Sequence, residues 1–239
     1  MNRRVGILGL FLVLAIWTNV LVAGDRPFSV ELRSSYTTTS KVFFNPDAAS
    51  AFERNQFFPV DDIFGLGLDF RRDVAYNLKV GISIEYISAS SPFTQSVRDR
   101  KGQDFELVLD DGYRLIPVEL SSYFVIPFSG ERVKVYMGGG VGFYVGERKV
   151  EAAGITTQTL EKNTRFGIHV MSGVDYFLTP ILALRGELKF RDPQVESTSR
   201  YPDKPVEYEG RTILFDQRPF RSRINIDGIT FNLGVMFRF

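Results

Sequence analysis

Thirteen charged residues sit at every second position of otherwise apolar-alternating runs: Glu31, Arg33, Asp69, Arg71, Lys79, Glu85, Glu119, Lys134, Asp175, Arg185, Glu187, Lys189 and Arg238. Six are acids and seven are bases. Such near-equal numbers on one face can neutralise each other as a network of ion pairs, the condition for holding charge away from water. His169, the only histidine, falls on the same face with Gly167, Met171, Gly173 and Asp175. A histidine there offers acid–base chemistry or one more hydrogen-bonding member of the network. Acyl transfer at a lipid-facing site would pair it with a serine two residues on. Met171 holds that position, and Ser172 points to the opposite face. Asp61-Asp62 and Asp110-Asp111-Gly112 have the composition of weak Ca²⁺ sites and equally of turns. With no cysteine there is no thiol or disulfide chemistry. The residues give no ground for a cofactor or a resident metal, and the reading is of a protein that is not an enzyme.

The elements that carry these charges are strands. Phe231, Leu233, Val235, Phe237 and Phe239 alternate to the last residue, the period of a strand with one apolar face. An apolar strand left at an edge would aggregate. A closing strand of a transmembrane β-barrel needs this pattern. Alternating runs give eight strands, at 28–36, 63–71, 78–88, 113–125, 132–147, 164–177, 181–191 and 226–239. Their links alternate short (72–77, 126–131, 178–180) and long (37–62, 89–112, 148–163, 192–225). The expected fold is all-β: an eight-stranded antiparallel up-and-down transmembrane barrel with short periplasmic turns and long extracellular loops. Outward positions read Phe64, Leu66, Leu68 and Phe70; Val80, Ile82 and Ile84; Val135, Met137, Val141 and Phe143; Leu182, Leu184 and Leu188. A charge facing lipid at the midplane costs up to ~2–4 kcal/mol, so the charges face the lumen. An eight-stranded barrel has room inside for little more than its own side chains, so they read as a plug. A narrow path opened by rearrangement is the alternative.

Residues 1–24 read as a secretory signal peptide: Arg3-Arg4, the apolar run Val5 to Trp17, and the small residues Val22-Ala23-Gly24 before Asp25. Residues 25–239 form one domain. The mean hydropathy of −0.05 is no obstacle, because the two faces of barrel strands average out. Aromatics at 14%, with 22 Phe and 10 Tyr, suit interfacial girdles. Lys+Arg number 29 and Asp+Glu 28, so losing Arg3 and Arg4 leaves a formal charge of one negative and no reason to expect nucleic acid. Four local features carry expectations. The third and fourth strands continue outward as a hairpin around Lys101-Gly102. Asn45-Pro46-Asp47 opens a short helix over 48–55. Gly138, Gly140 and Gly142 face inward to admit neighbouring Arg or Tyr side chains. Pro117 imposes a bulge or break.

Arg114-Leu115-Ile116-Pro117-Val118-Glu119-Leu120-Ser121-Ser122-Tyr123-Phe124, followed by Lys134-Val135-Tyr136-Met137-Gly138-Gly139-Gly140-Val141-Gly142-Phe143-Tyr144, resembles the outer-membrane β-barrel domain family of OmpW-like and OmpX-like small barrels. The resemblance is sharpest over 113–147 and the last strand. It implies a Gram-negative-type outer membrane, contact with its lipid and lipopolysaccharide, and a terminal Phe read by the outer-membrane assembly machinery. OmpW-like barrels imply passage of small hydrophobic compounds through an apolar lumen; a lumen dominated by charge departs from that. The expected role is structural or surface-interactive, with an OmpW-like conduit and a lipid A-modifying enzyme as rivals and the ligand of the loops unknown. Deleting Phe239 is expected to lower the amount assembled in the outer membrane more than it perturbs the folded barrel. Heat-modifiable gel mobility of membrane fractions checks this, and normal levels would refute it.

Overall fold

The computed structural model describes residues 26–98, 103–127, 130–208, 210–213 and 215–239. The expected signal peptide, 1–24, and Lys101-Gly102, expected at the centre of the outward hairpin, lie outside them. Eight long antiparallel strands form a ring in the order β1 (Phe28–Phe43), β2 (Phe57–Ala75), β3 (Leu78–Arg98), β4 (Asp104–Val125), β5 (Val133–Ala152), β8 (Arg165–Phe177), β9 (Leu182–Arg191) and β14 (Ile229–Arg238). The last strand closes on the first from Ser29↔Arg238 to Thr37↔Thr230. Phe28 and Phe239 then exchange backbone hydrogen bonds of 3.1 and 2.9 Å. No edge is left within the ring, as a bilayer requires of a sheet.

Alternation sets the two faces. Phe64, Leu66, Leu68, Ile82, Ile84, Leu120, Met137, Val141, Ile168, Leu184 and Leu233 are exposed on the outside. Two aromatic belts bound them. Phe28 stacks between Phe70 and Phe239 at the turn end, with centroids 5.7 and 6.1 Å away. Tyr36–Phe64 (5.3 Å) and Phe143–Phe166 (4.3 Å) mark the other belt. Phe28 to Tyr36 covers about 20 Å along the barrel axis at a rise of ~3.3 Å per residue and a tilt near ~40°. Adding the rings themselves gives the ~25 Å apolar band of an outer-membrane barrel.

Beyond the upper belt the structure differs from the loops expected there. β3 and β4 pair onward to Arg98↔Asp104, the outward hairpin the sequence predicts. The stretches 148–163 and 192–225, expected as loops, contain β6 (Ile155–Thr156), β7 (Gln158–Asn163), β10 (Gln194–Arg200), β11 (Val206–Tyr208), β12 (Arg211–Ile213) and β13 (Phe220–Asn225). Upper β1 leaves β14 and pairs with β13, which pairs with β10, and β10 with β7. The wall therefore continues outside the membrane with a partly new set of strands. Its pleat changes phase on the way: Thr37 and Ser40 are both buried on β1, Ile63 and Val60 on β2. Asp62 at this step takes a left-handed φ of 55° and accepts a 2.6 Å hydrogen bond from the Tyr36 hydroxyl.

One local expectation is corrected and another is met in part. The helix α1 covers only Ala51–Arg54, and its N-cap residue Ser50 makes no side-chain cap. Asn45-Pro46-Asp47 instead closes its own turn, with the Ala48 amide donating to the Asn45 carbonyl at 3.1 Å. Pro117 produces the expected local break, on one side only, with no bulge or register shift. Its ladder to β5 is intact at Pro117↔Tyr144, and pairing to β3 merely lapses between Ile84↔Val118 and Ile87↔Leu115. A proline removes one donor, and here the strand loses only the bonds on one side.

Of the three inward glycines, Gly138 and Gly142 make room for tyrosines, whereas a methyl at Gly140 would meet the backbone of Leu120 and Ser121. A methyl at Gly142 or Gly167 would meet the Tyr144 ring at 2.8 and 2.9 Å, and one at Gly138 would meet Tyr123 at 3.1 Å. A methyl at Gly173 would overlap the Tyr136 ring outright and sit 2.9 Å from the Gly186 carbonyl. Gly173→Leu is therefore expected to cost about 1–3 kcal/mol by overpacking. A lower urea midpoint for loss of the folded gel band checks this, with Ser172→Leu on the lipid face as the control that should not lower it.

Candidate functional site

The membrane part of the lumen is occupied by protein. Among the described residues, Glu31, Asp69, Glu85, Glu119, Asp175 and Glu187 meet Arg33, Arg71, Arg185, Lys189 and Arg191, all buried. Nearest the turn end, Arg185 grips Asp175 with Nε and Nη2 at 2.6 and 2.9 Å and reaches Glu31 with Nη1 at 3.0 Å. Arg71 donates to Asp69 (2.6 Å) and Glu187 (2.9 Å), while its guanidinium lies 3.6 Å over the Tyr123 ring. Higher up, Lys189 Nζ donates to Glu119 at 2.5 Å. Arg191 holds both Glu85 oxygens at 2.8 and 3.2 Å. Hydroxyls complete the carboxylates: Tyr123 to Asp69 (3.0 Å), Tyr136 to Glu187 (2.9 Å), Tyr144 to Glu119 (2.9 Å) and Ser35 to Glu85 (2.5 Å).

His169 joins this layer through Nε2, 2.8 Å from Ser121 Oγ, while its buried Nδ1 has no partner. The Ser121–His169 contact is the nearest thing here to a nucleophile–base pair, and it lies inside the packed lumen. Within the buried network Arg33 is the least satisfied cation. Its two ion pairs are long, 3.6 Å to Asp69 and 3.7 Å to Glu187, and its Nε and Nη2 are unpartnered. Ten of the thirteen sequence-predicted charges thus lie in one network. Lys79, Lys134 and Arg238 do not; they ring the turn-end mouth, where Asp73 receives Lys79 at 3.2 Å and Arg238 at 2.8 Å. Arg191 and Asn232, which donates to Glu187 at 3.0 Å, are further members. Both share the inward parity of Lys189 and Arg238 on their strands, a signal that was available.

The expectation of a lumen dominated by charge holds only for the membrane half. Above it Val42, Val60, Ile63, Ile87, Leu115, Val195, Ile224 and Ile226 pack around Tyr113 and Tyr144 as an apolar layer. Many of these lie on strand lengths that alternation did not extend to. Higher still, Arg148 pairs with Asp111 and donates to Ser222 at 2.9 Å. Asp110, by contrast, points outward, so the two aspartates do not converge on one site. A second apolar cluster of Leu107, Leu109, Val150, Ala152 and Ile213 caps the top, with Tyr201 and Phe215 stacked at 4.6 Å. Burial there raises the Tyr201 phenol above its usual pKa, with Arg148 opposing. Among the described residues no group of His, Asp and Glu could hold a metal.

A closed eight-stranded ring with a lipid-width apolar band, aromatic belts and inward charges is the fold of small outer-membrane β-barrels. A solved structure agrees in fold. OprG from Pseudomonas aeruginosa, an outer membrane protein, aligns over 89% of this chain and 95% of its own at 18% identity and a TM-score of 0.55. Neisserial surface protein A aligns over 89% and 97% at 14% identity and 0.49. No protein-family model matches the chain, and no curated protein matches it in sequence.

Removing one partner of a buried ion pair leaves the other uncompensated, at a cost of about 3–5 kcal/mol. Arg191→Met is therefore expected to be strongly destabilising, and adding Glu85→Gln should recover at least about 1 kcal/mol. A double-mutant cycle in urea checks the sign. Simple additivity would show that the pair is not coupled.

Proposed function

We propose that this protein is a non-enzymatic barrel of the outer membrane, sealed within the bilayer, whose work is done by the wall it raises outside the cell. The observation that supports this most is the filling of the lumen: a buried ion-pair layer, an apolar layer and a second apolar cap succeed one another along the axis. An ion crossing would have to displace paired charges and then traverse dry apolar packing. The outer part is built rather than loose. β3 and β4 rise about 25 Å past the upper belt at ~3.3 Å per residue and ~40° tilt. Arg221 ties Asp47 (2.6 Å) to Glu196 (3.1 Å), and Arg165 also holds Glu196 (2.6 Å). Such a scaffold suits presentation of a surface to lipopolysaccharide or to an external partner. Assembly through the terminal Phe239 belongs to the same reading.

A hydrophobic conduit is the second reading, favoured by one feature. From Val145 to Lys149 the outer edge of β5 has no ladder partner among the described residues, pairing resuming where the Thr157 amide donates to the Val150 carbonyl at 3.0 Å. Side chains bridge the lapse: Glu147 receives Lys162 at 2.9 Å and Thr159 at 2.8 Å. The apolar layer lies just inside. Planar-bilayer recording of the refolded barrel is expected to show no unitary conductance, and uptake of small apolar solutes into liposomes should match protein-free controls. Reproducible conductance would refute the seal; uptake without conductance would favour the conduit.

A further inference from the structure

The turn end of the barrel carries a feature that the sealed lumen does not use. Two cavities adjoin there. One opens into the mouth of the lumen beneath Lys79 and Asp73. The other, of about 390 Å³, lies between the β4–β5 and β8–β9 turns, against Arg132, Leu178 and Pro180. Lys134, Phe177 and Arg238 line both, so the two form one groove running from the mouth, between the turns, to the outer surface of the wall. Its outer half lies within the roughly 300–1,000 Å³ of small-ligand sites.

Charge in this groove is unbalanced. Lys79, Arg132, Lys134 and Arg238 face two acids, Asp73 and Glu131. Asp73 already receives both Lys79 and Arg238. The cross-strand neighbour of Lys134 is Asp175, but both Asp175 oxygens belong to Arg185. Among the described residues neither Lys134 nor Arg132 has an ion-pair partner. A half-buried lysine without a counter-charge favours an anion, and Lys134 beside the exposed guanidinium fork of Arg132 suits a phosphate.

The wall on the outer side is apolar. Leu178, 52% exposed, lines the groove with Pro180, and Ile181, 45% exposed, stands beside them at the end of the same turn. A soluble anion gains nothing from that wall; an anion carrying an acyl chain does. We propose that the groove binds the phosphate-bearing headgroup of an anionic glycerophospholipid of the periplasmic leaflet, its phosphate between Lys134 and Arg132 and its chains along Leu178 and Ile181. This rests on the barrel spanning a membrane.

The test uses the full mature barrel refolded into detergent and titrated with phosphatidylglycerol or phosphatidylcholine, with bound lipid counted by native mass spectrometry. Wild type is expected to retain phosphatidylglycerol about tenfold over phosphatidylcholine, from two cations near the headgroup. Arg132→Gln/Lys134→Gln should lose that preference while keeping heat-modifiable mobility, since neither side chain has an ion pair to break. No preference in the wild type, or preference undiminished in the double variant, would overturn the proposal. Displacement of the lipid by glycerol phosphate at equal concentration would overturn the lipid as the source of the phosphate. Failure of the wild type to insert into bilayers at all would instead strike at the membrane reading beneath it.

Discussion

Inside a bilayer neither a backbone amide nor a charged side chain has water to fall back on, and this one constraint shapes the whole molecule. It closes the sheet, because an open edge would leave a row of amides unpaired. It drives the charges between the two aromatic belts to the inner face, because the outer face there is hydrocarbon. Once inside, the charges must find each other. Arg71, Arg185 and Arg191 each bind carboxylates on neighbouring or facing strands, so the network links the wall across its own interior. Such pairs are poor sources of net stability, since an apolar filling of equal volume does as well. What they add here is a polar interior that fixes which face of each strand is which.

Above the bilayer the constraint relaxes and the design changes. Water can satisfy an exposed edge there, and the strands are free to bend, change phase and exchange neighbours. β1 parts from β14 and takes β13; the inner filling turns from charge to Val, Ile and Leu. The molecule thus has an inverted interior. Its core is polar where its surroundings are oil and apolar where they are water.

That division also decides how much could be read from sequence. In the spanning strands, period two is enforced on both faces, so Phe64 to Phe70 and Leu182 to Leu188 announce themselves, and their charged partners with them. The same parity applied one step further reaches Arg191. Outside the membrane both faces tolerate polar residues. β10, with Val195, Ser197 and Ser199 inward, and β13, with Ser222 and Ile224 inward, have no apolar outer face to mark them. The phase change at Thr37–Ser40 then breaks the count for any pattern carried up from below. The mouth residues Lys79, Lys134 and Arg238 share the parity of the buried network and could be told from it only by height. Asp69 and Glu187 were visible as inward acids, but their tyrosine partners Tyr123 and Tyr136 come from strands far off in sequence.

The seam between β1 and β14 has a consequence for time as well as space. Ser34 donates to the carbonyl of Leu233 across 199 residues of chain. The first strand must therefore wait, unpaired on one side, until nearly everything else has been laid down. Closure is the most non-local event the topology allows and, by loop-closure entropy, the slowest to find unaided. A sheet not closed along this seam presents two unpaired edges, the kind of margin through which strands pair with other chains. The order of events, more than the final balance of forces, is where this molecule is most exposed.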